Sequence, residues 1–363
     1  MRPSPDQAAV LDALRVVIDP DLGKDIVSLG FVKQLAIDAS GAVRFAIELT
    51  TPACPVKDRL KAQAEQAVTA VAGVTSVEIE MTAAVRTAAL PEGARQPVAG
   101  VKNVIAVGAG KGGVGKTTVA VNLAVALAQM GSRVGMIDGD IYGPNVPMML
   151  GLHTELVADE QGRIIPAERY GVRVVSMGFL TQEDSAVIWR GPMLHGAIQQ
   201  FFRQVVWDNL DYLIVDLPPG TGDVALSLSQ SVPVSGAIVV TTPQLVSLSD
   251  TRRAVAMYKK LNIPPIGLIE NMSYFSCPNC EHESDIFGRG GGERLAEELG
   301  VPFLGRLPIY QPIREGSDSG VPLVISEPDS PAARAFIAAA ERTAAQVSIA
   351  SYTRSTIPLT VVR

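Results

Sequence analysis

Positive charge, cysteine and long apolar runs are all scarce in this sequence. Its 31 lysines and arginines are outnumbered by 37 aspartates and glutamates, a formal net charge of −6. An acidic surface repels a phosphate backbone, so outside a local basic patch no nucleic-acid partner is expected. Three cysteines in 363 residues cannot build a disulfide framework; in a reducing compartment they are expected to be metal ligands or reactive thiols. No apolar run approaches the ~20 residues that a membrane-spanning helix needs. Nor does an apolar signal segment follow Met1-Arg2-Pro3-Ser4-Pro5-Asp6. The stretch Ser348 to Arg363 lacks the basic amphipathic pattern of a membrane anchor. A cytoplasmic protein that contacts no membrane is expected. With 47% apolar residues and a mean hydropathy of +0.24, the chain has ample material for a large folded core, in about one to three domains.

The most informative stretch lies between Lys102 and Met130. A β-branched run, Val104 to Val107, reads as a buried strand. A glycine-rich loop follows, and then an apolar, alanine-rich helix. The loop fits the P-loop pattern, with Gly110, four residues, then Gly115-Lys116-Thr117. Gly110, Gly112, Gly113 and Gly115, with Val114 between them, let backbone N–H groups turn toward phosphate oxygens. The helix N-terminus, at Lys116, Thr117 and Thr118, adds partial positive charge at the same point. The pattern assigns Lys116 to the β- and γ-phosphates of ATP and the Thr117 hydroxyl to Mg²⁺. Lys111, directly after Gly110, makes the loop resemble the deviant Walker A of SIMIBI-class ATPases. That group includes Min-type, Par-type and nitrogenase iron-protein relatives. The resemblance implies that Lys111 reaches across a homodimer to the partner's nucleotide; without it, Lys111 is a solvated loop lysine.

Carboxylates end two further strand-like runs. Arg133 to Asp138 leads into Asp138-Gly139-Asp140, at the strand edge where open α/β sheets bind ligands, although an Asp-Gly pair also serves as a simple turn. The resemblance gives the position of Asp140 the task of orienting the attacking water. Tyr212 to Asp216 is hydrophobic and ends in an acid, so Asp216 is placed to hold Mg²⁺ through water. Leu217 to Asp223, with two prolines and two glycines, reads as a switch segment sensing the γ-phosphate. Strand-like runs recur at Val172 to Met177, Gly236 to Thr242, Ile266 to Asn271 and Phe303 to Leu307. Helices are expected after Met193 and from Pro331 to Gln346. In related ATPases the asparagine matching Asn271 reads the adenine edge.

Two other stretches carry sulfur. Near the N-terminus a helix from Pro5 to Val17, strands Phe31 to Ile37 and Val43 to Leu49, a helix from Pro55 to Val71 and a strand Val74 to Met81 suggest a small α+β unit. Pro55 suits a first helical position. Cys54 would then be the N-cap, its thiol acidified by the helix terminus and by Lys57 and Arg59, or else a small buried cap residue. Cys277-Pro278-Asn279-Cys280 spaces two thiolates so that both can face one metal. One such pair per chain means that a four-thiolate site needs two chains. Zinc, an iron–sulfur cluster, a redox pair and two uninvolved thiols all remain open on spacing alone. His282 would join a zinc site or lie in solvent.

Taken together, several motifs resemble the Mrp/ApbC iron–sulfur cluster carrier ATPases. They are Gly110 to Thr118, Asp138 to Pro144, Trp189 to Met193, Asp216 to Asp223, and Asn271-Met272-Ser273 leading to Cys277 and Cys280. Asn145 departs from the small hydroxyl residue usual after Gly-Pro. Asp19 to Gly30 and Thr51 to Pro55 resemble the metal–sulfur cluster biosynthesis domain, whose functional residue matches Cys54. The expected fold is a mostly parallel, doubly covered P-loop NTPase sheet preceded by a small α+β domain. The expected divisions are 1–83, a linker 84–100, the ATPase 101–347 and a tail 348–363. By resemblance, Cys277 and Cys280 of two chains bridge a [4Fe–4S] cluster, delivered to apo iron–sulfur proteins with cluster assembly factors as further partners.

Overall fold

The structure, a computed structural model, describes residues 5–87, 95–140, 143–179, 191–220, 223–277, 279–280 and 282–356. Parts of the expected linker, Ile141 and Tyr142, Trp189 and Arg190, Thr221 and Gly222, Pro278 and residues 357–363 lie outside them. The chain divides into two compact units, Met1–Arg86 and Thr87–Arg363.

In the first unit, α1 (Gln7–Leu14) is capped by the Asp6 carboxylate, which accepts from Ala9 N at 2.6 Å. Strands β1 (Val32–Ile37) and β2 (Ala42–Leu49) pair antiparallel. The polypeptide then crosses over through α2 (Lys57–Thr69) to β3 (Ser76–Ala83), which runs parallel to β2. Leu60, Ala64 and Val68 recur at four-residue spacing and bury one stripe of α2. Cys54 does not cap that helix. Thr51 to Cys54 form a turn, in which the Thr51 hydroxyl accepts from Ala53 N at 3.2 Å. Pro55 is absorbed into the approach, and helical bonding starts with Leu60 N to Val56 O at 2.9 Å. Val56 stands at the cap with no side-chain bond. The Cys54 side chain is buried, and its carbonyl, 3.4 Å from Lys57 N, is what meets the helix.

The second unit is built on an eight-stranded sheet. Its members are β4 (Val101–Ala109), β5 (Val134–Asp138), β6 (Ala167–Arg169), β7 (Val172–Ser176), β8 (Leu210–Asp216), β9 (Gly236–Thr241), β10 (Pro265–Glu270) and β13 (Phe303–Arg306). A hairpin of β11 (Phe275–Ser276) and β12 (Glu283–Ser284) stands outside it. The sheet order is β6-β7-β5-β8-β4-β9-β10-β13. Every pair is parallel except the edge pair β6–β7. Alternation along β4 explains the two covered faces. Val104 and Ala106 join one layer with Phe201 of α4 (Gly191–Arg203), Leu228 of α5 (Asp223–Ser231), Val255 of α6 (Leu245–Lys260) and Leu295 of α7 (Gly291–Leu299). Ile105 and Val107, also fully buried, point the opposite way. On that side lie α3 (Lys116–Gln129), preceding α4 in the chain, and α8 (Pro331–Thr356). Helix α8 outruns the expected end at Gln346, because Ala344, Val347 and Ser351 keep one buried stripe going.

Candidate functional site

Register places the acids. In the parallel ladders Asp216 is paired with Asp138 on one side and with Val107 on the other. Both carboxylates therefore emerge at the carboxyl end of the sheet, beside the loop that leaves β4. That loop closes tightly against its surroundings. A Cβ on Gly110 would stand 2.3 Å from the backbone carbonyl carbon of Asp250. Gly115 has φ +78°, and a Cβ there would stand 2.3 Å from Asn271 Nδ2. Only glycine meets both demands. No side chain caps α3, so its first N–H groups are open to an anion. Gly112 and Gly113 are exposed, Lys111 and Thr118 half-buried. Lys111 has no hydrogen bond or ion pair with a described residue.

Lys116 does not extend along the cradle. Its ammonium donates to Asp216 Oδ1 at 2.6 Å and to the Thr117 hydroxyl at 3.3 Å. Thr117 in turn donates to Asp216 Oδ2 at 2.7 Å. Lys116 is 7% exposed and Asp216 fully buried. Burial raises the Asp216 carboxyl above the ordinary carboxylate range, and the Lys116 charge works against that rise. Any anion entering beside Lys116 would compete with Asp216 for this ammonium.

Asp138 supports this site from within the fold. It accepts from Ser176 Oγ at 3.1 Å, Val146 N at 3.2 Å and Asp140 N at 3.2 Å. Burial, seconded by the Asp216 charge, pushes its pKa to about 7. The folded chain therefore holds a proton at Asp138 that the unfolded chain releases above about pH 4. That contribution to stability is complete at acid pH and is lost as pH rises through about 7. Nucleotide-free protein is expected to lose stability across this window, and Asp138→Asn to flatten the loss. Urea midpoints at about pH 4.5 and 7.5 measure it; an unchanged slope in Asp138→Asn would assign the titration elsewhere.

Asn271 leaves β10 and turns its side chain to the loop, where Nδ2 donates to Val114 O at 2.8 Å. Its amide thus braces the phosphate cradle. Beyond it, the β11–β12 hairpin carries Cys277 and Cys280, with Cys277 N donating to His282 O at 3.1 Å to extend the ladder. Two bonds dock the hairpin on the segment after β13, Ser276 N to Ile309 O at 3.0 Å and Ile309 N to Tyr274 O at 2.6 Å. Arg289 lies over the Tyr274 ring at 4.7 Å and pairs with Glu283 at 2.6 Å. The Cys277 thiol receives the backbone N–H groups of Asn279 and Cys280 and the Cys280 thiol, which lowers its pKa below the ordinary range. A turn pre-set for a thiolate suits a metal ligand. Thioredoxin-like pairs draw on a helix N-terminus, whereas the chain after Cys280 enters a strand. Cys280 and His282 are exposed. Among the described residues no three His, Cys, Asp or Glu gather into a metal site.

Sequence comparison matches residues 100–344 to the family described as NUBPL iron-transfer P-loop NTPase. The chain belongs to that family. Residues 7–81 match a second family, described as iron-sulfur cluster assembly protein. An iron-sulfur cluster carrier protein of Synechocystis sp. is 51% identical, over 94% of this chain and 98% of the relative. Among solved structures, an ADP-bound nucleotide-binding protein from Archaeoglobus fulgidus is 35% identical with a TM-score of 0.56, covering 65% of this chain and 92% of its own. The cell division ATPase MinD of Pyrococcus furiosus is 27% identical with a TM-score of 0.50, covering 66% and 97%. This chain is thus a P-loop NTPase sheet with a small domain before it. No described helix is long and apolar enough to cross a membrane. Absent from the sequence reading were the Lys116–Asp216 pair, the Asn271 brace and the hairpin that presents the cysteines.

Proposed function

We propose that this chain binds and hydrolyses ATP and, as a homodimer, carries a [4Fe–4S] cluster on Cys277 and Cys280 of both subunits for delivery to apo iron–sulfur proteins. The observation that carries this reading is the hairpin that presents two thiols, Cys280 exposed and Cys277 surrounded by donors that lower its pKa, on a P-loop sheet. A cluster with full cysteine ligation takes four thiolates, and each chain offers two at this place. The 51% identical relative named as a cluster carrier supports the cargo. Cluster assembly factors would supply it, in the cytoplasm, with no role for nucleic acid or membrane.

The residues assign themselves to the chemistry of hydrolysis. The open N–H groups from Gly110 to Thr118, with Val114 held by Asn271, cradle the phosphates. Lys116 leaves Asp216 for the β- and γ-phosphate oxygens. The Thr117 hydroxyl and Asp216 carboxylate, hard oxygen donors 2.7 Å apart, fit Mg²⁺, which offsets phosphate charge when bound. Asp140 orients a water whose oxygen bonds to the γ-phosphorus as the bond to the β–γ bridging oxygen breaks, giving ADP and phosphate. The remaining edge of Asn271 would read the adenine, as the resemblance implies. Half-buried Lys111, without a described partner in its own chain, suits a contact with the nucleotide of a second subunit. Lys111→Ala is accordingly expected to keep nucleotide affinity within about twofold and to cut hydrolysis by roughly tenfold or more. Wild-type turnover in that variant, measured by phosphate release, would remove the trans-acting role.

Cys54 stands apart as a buried thiol in the first unit, and its part in cluster delivery belongs to this proposal only through the resemblance of that unit. The decisive experiment is anaerobic reconstitution with iron and sulfide, followed by the visible spectrum, native mass and transfer to an apo acceptor. Bound zinc, refusal of iron and no transfer would replace the carrier with a zinc-stapled ATPase. A nucleotide-driven dimer that localises without carrying iron would favour the Min/Par-type alternative.

A further inference from the structure

Glu270, the last residue of β10, is fully buried. Its Oε1 accepts from Ser273 Oγ at 2.5 Å and from Gly290 N at 2.8 Å. Its Oε2 accepts from Gly292 N. No described lysine, arginine or histidine pairs with it. The open N-terminus of α7 and one hydroxyl supply its compensation. These contacts have a topological meaning. The chain between Glu270 and Gly290 is the excursion that carries Cys277 and Cys280, and Glu270 grips it at both ends. The neighbouring residue, Asn271, grips the phosphate cradle at Val114 O, 2.8 Å away. Successive side chains at a strand end point to opposite sides, so one dipeptide holds the nucleotide loop with one hand and the cysteine excursion with the other. Met272, directly after it, has φ +54°. That backbone is costly for a residue other than glycine, and it persists because Ser273 N is tied to Leu307 O at 2.9 Å and Leu307 N to Glu270 O at 2.8 Å.

We propose that the Glu270–Asn271 pair is the link through which nucleotide occupancy of the P-loop is felt at Cys277 and Cys280, with Glu270 as a positioning residue that clasps the cysteine excursion. The inference rests on the reading of Cys277 and Cys280 as the cargo site. Phosphate entry draws Lys116 from Asp216 and resets the loop around Val114. Asn271 follows the Val114 carbonyl. The clasp on Ser273, Gly290 and Gly292 then passes the displacement to the hairpin base.

The test uses full-length, metal-free protein and reads thiol alkylation of the 277–280 peptide by mass spectrometry, without nucleotide and with saturating ADP or a non-hydrolysable ATP analogue plus Mg²⁺. In the wild type, nucleotide is expected to change the Cys277 alkylation rate on the order of fivefold, the lower end of ordinary coupling between sites. Glu270→Gln keeps the shape but places an amide N–H against donors. It is expected to bring that ratio close to one while nucleotide affinity stays within about twofold. Ser273→Ala, a milder change, is expected to reduce the ratio in the same direction, and it decides the matter if Glu270→Gln does not fold. A general loosening of the fold would raise both rates and leave the ratio alone. Wild-type ratios in the variants, or a nucleotide-bound wild type with no change in rate, overturn the proposal. Iron per chain after reconstitution is measured on the same preparations. A wild type that takes no iron yet shows the coupled alkylation sinks the carrier reading and leaves the link standing.

Discussion

Cys277→Ala or Cys280→Ala is expected to take reconstituted protein from about two irons per chain to near zero. One four-iron cluster shared by two subunits gives that starting ratio. Removing either cysteine leaves one ligand per chain, and two thiolates do not hold such a cluster. The damage should stop there. The hairpin strands are two residues long, Cys280 is exposed, and neither thiol packs into the core. Nucleotide affinity of the metal-free variants should therefore stay within about twofold of wild type, and thermal midpoints within a few degrees. Iron and sulfide assays, native mass and nucleotide titration measure all three. Retained iron in either variant would place the cargo on other ligands. A two-iron cluster in each monomer gives the same iron ratio, so the spectrum and the mass of the wild type must agree before the variants are read.

Lys116→Met is expected to weaken ATP binding and to cut hydrolysis by at least about 10²–10³-fold, the usual scale for removing a donor aimed at developing charge. A second effect follows from the structure. Without the ammonium, Asp216 keeps only the Thr117 hydroxyl as a described side-chain donor, in full burial. Breaking a buried pair from one side costs about 3–5 kcal/mol, partly relieved by protonation of Asp216. The variant should thus be less stable near neutral pH than in mild acid. Adding Asp216→Asn should restore much of the stability and none of the activity. Denaturant midpoints for the single and double variants give the answer, and equal stability of Lys116→Met and wild type at neutral pH would mean that the pair contributes nothing to the folded state.

The local parts of this molecule were legible in the sequence, and the non-local parts were not. A P-loop is a contiguous pattern, so Gly110 to Thr118 could be placed on a strand–loop–helix without any other residue. Hydrophobic runs ending in acid located Asp138 and Asp216. Nothing in either stretch says that Lys116 rests on an acid one hundred residues away, because that contact depends on the order of strands in the sheet. Asn271 was singled out as an adenine reader, but its hold on Val114 required the loop to be seen folded. The cysteine spacing was visible and its support was not, since two-residue strands have no periodicity to detect. Proline misled at Cys54. Pro55 fits a first helical turn by preference, yet the preceding Thr51 turn claims it and the helix begins later. The helix α8 runs past the expected end at Gln346, because Val347 and Ser351 continue the buried face.

As the proposed cargo ligands, Cys277 and Cys280 would separate ownership of a metal group from the survival of the protein. In a structural zinc site the binding energy is folding energy, and a chelator denatures the domain. Here the sheet and its helices rest on their own apolar core, and the hairpin is docked by the backbone bonds between Ser276, Ile309 and Tyr274 rather than through either thiol. A chelator should strip whatever group sits at Cys277 and Cys280 and leave a chain ready to be loaded again, so that each molecule can serve through many rounds of filling and discharge.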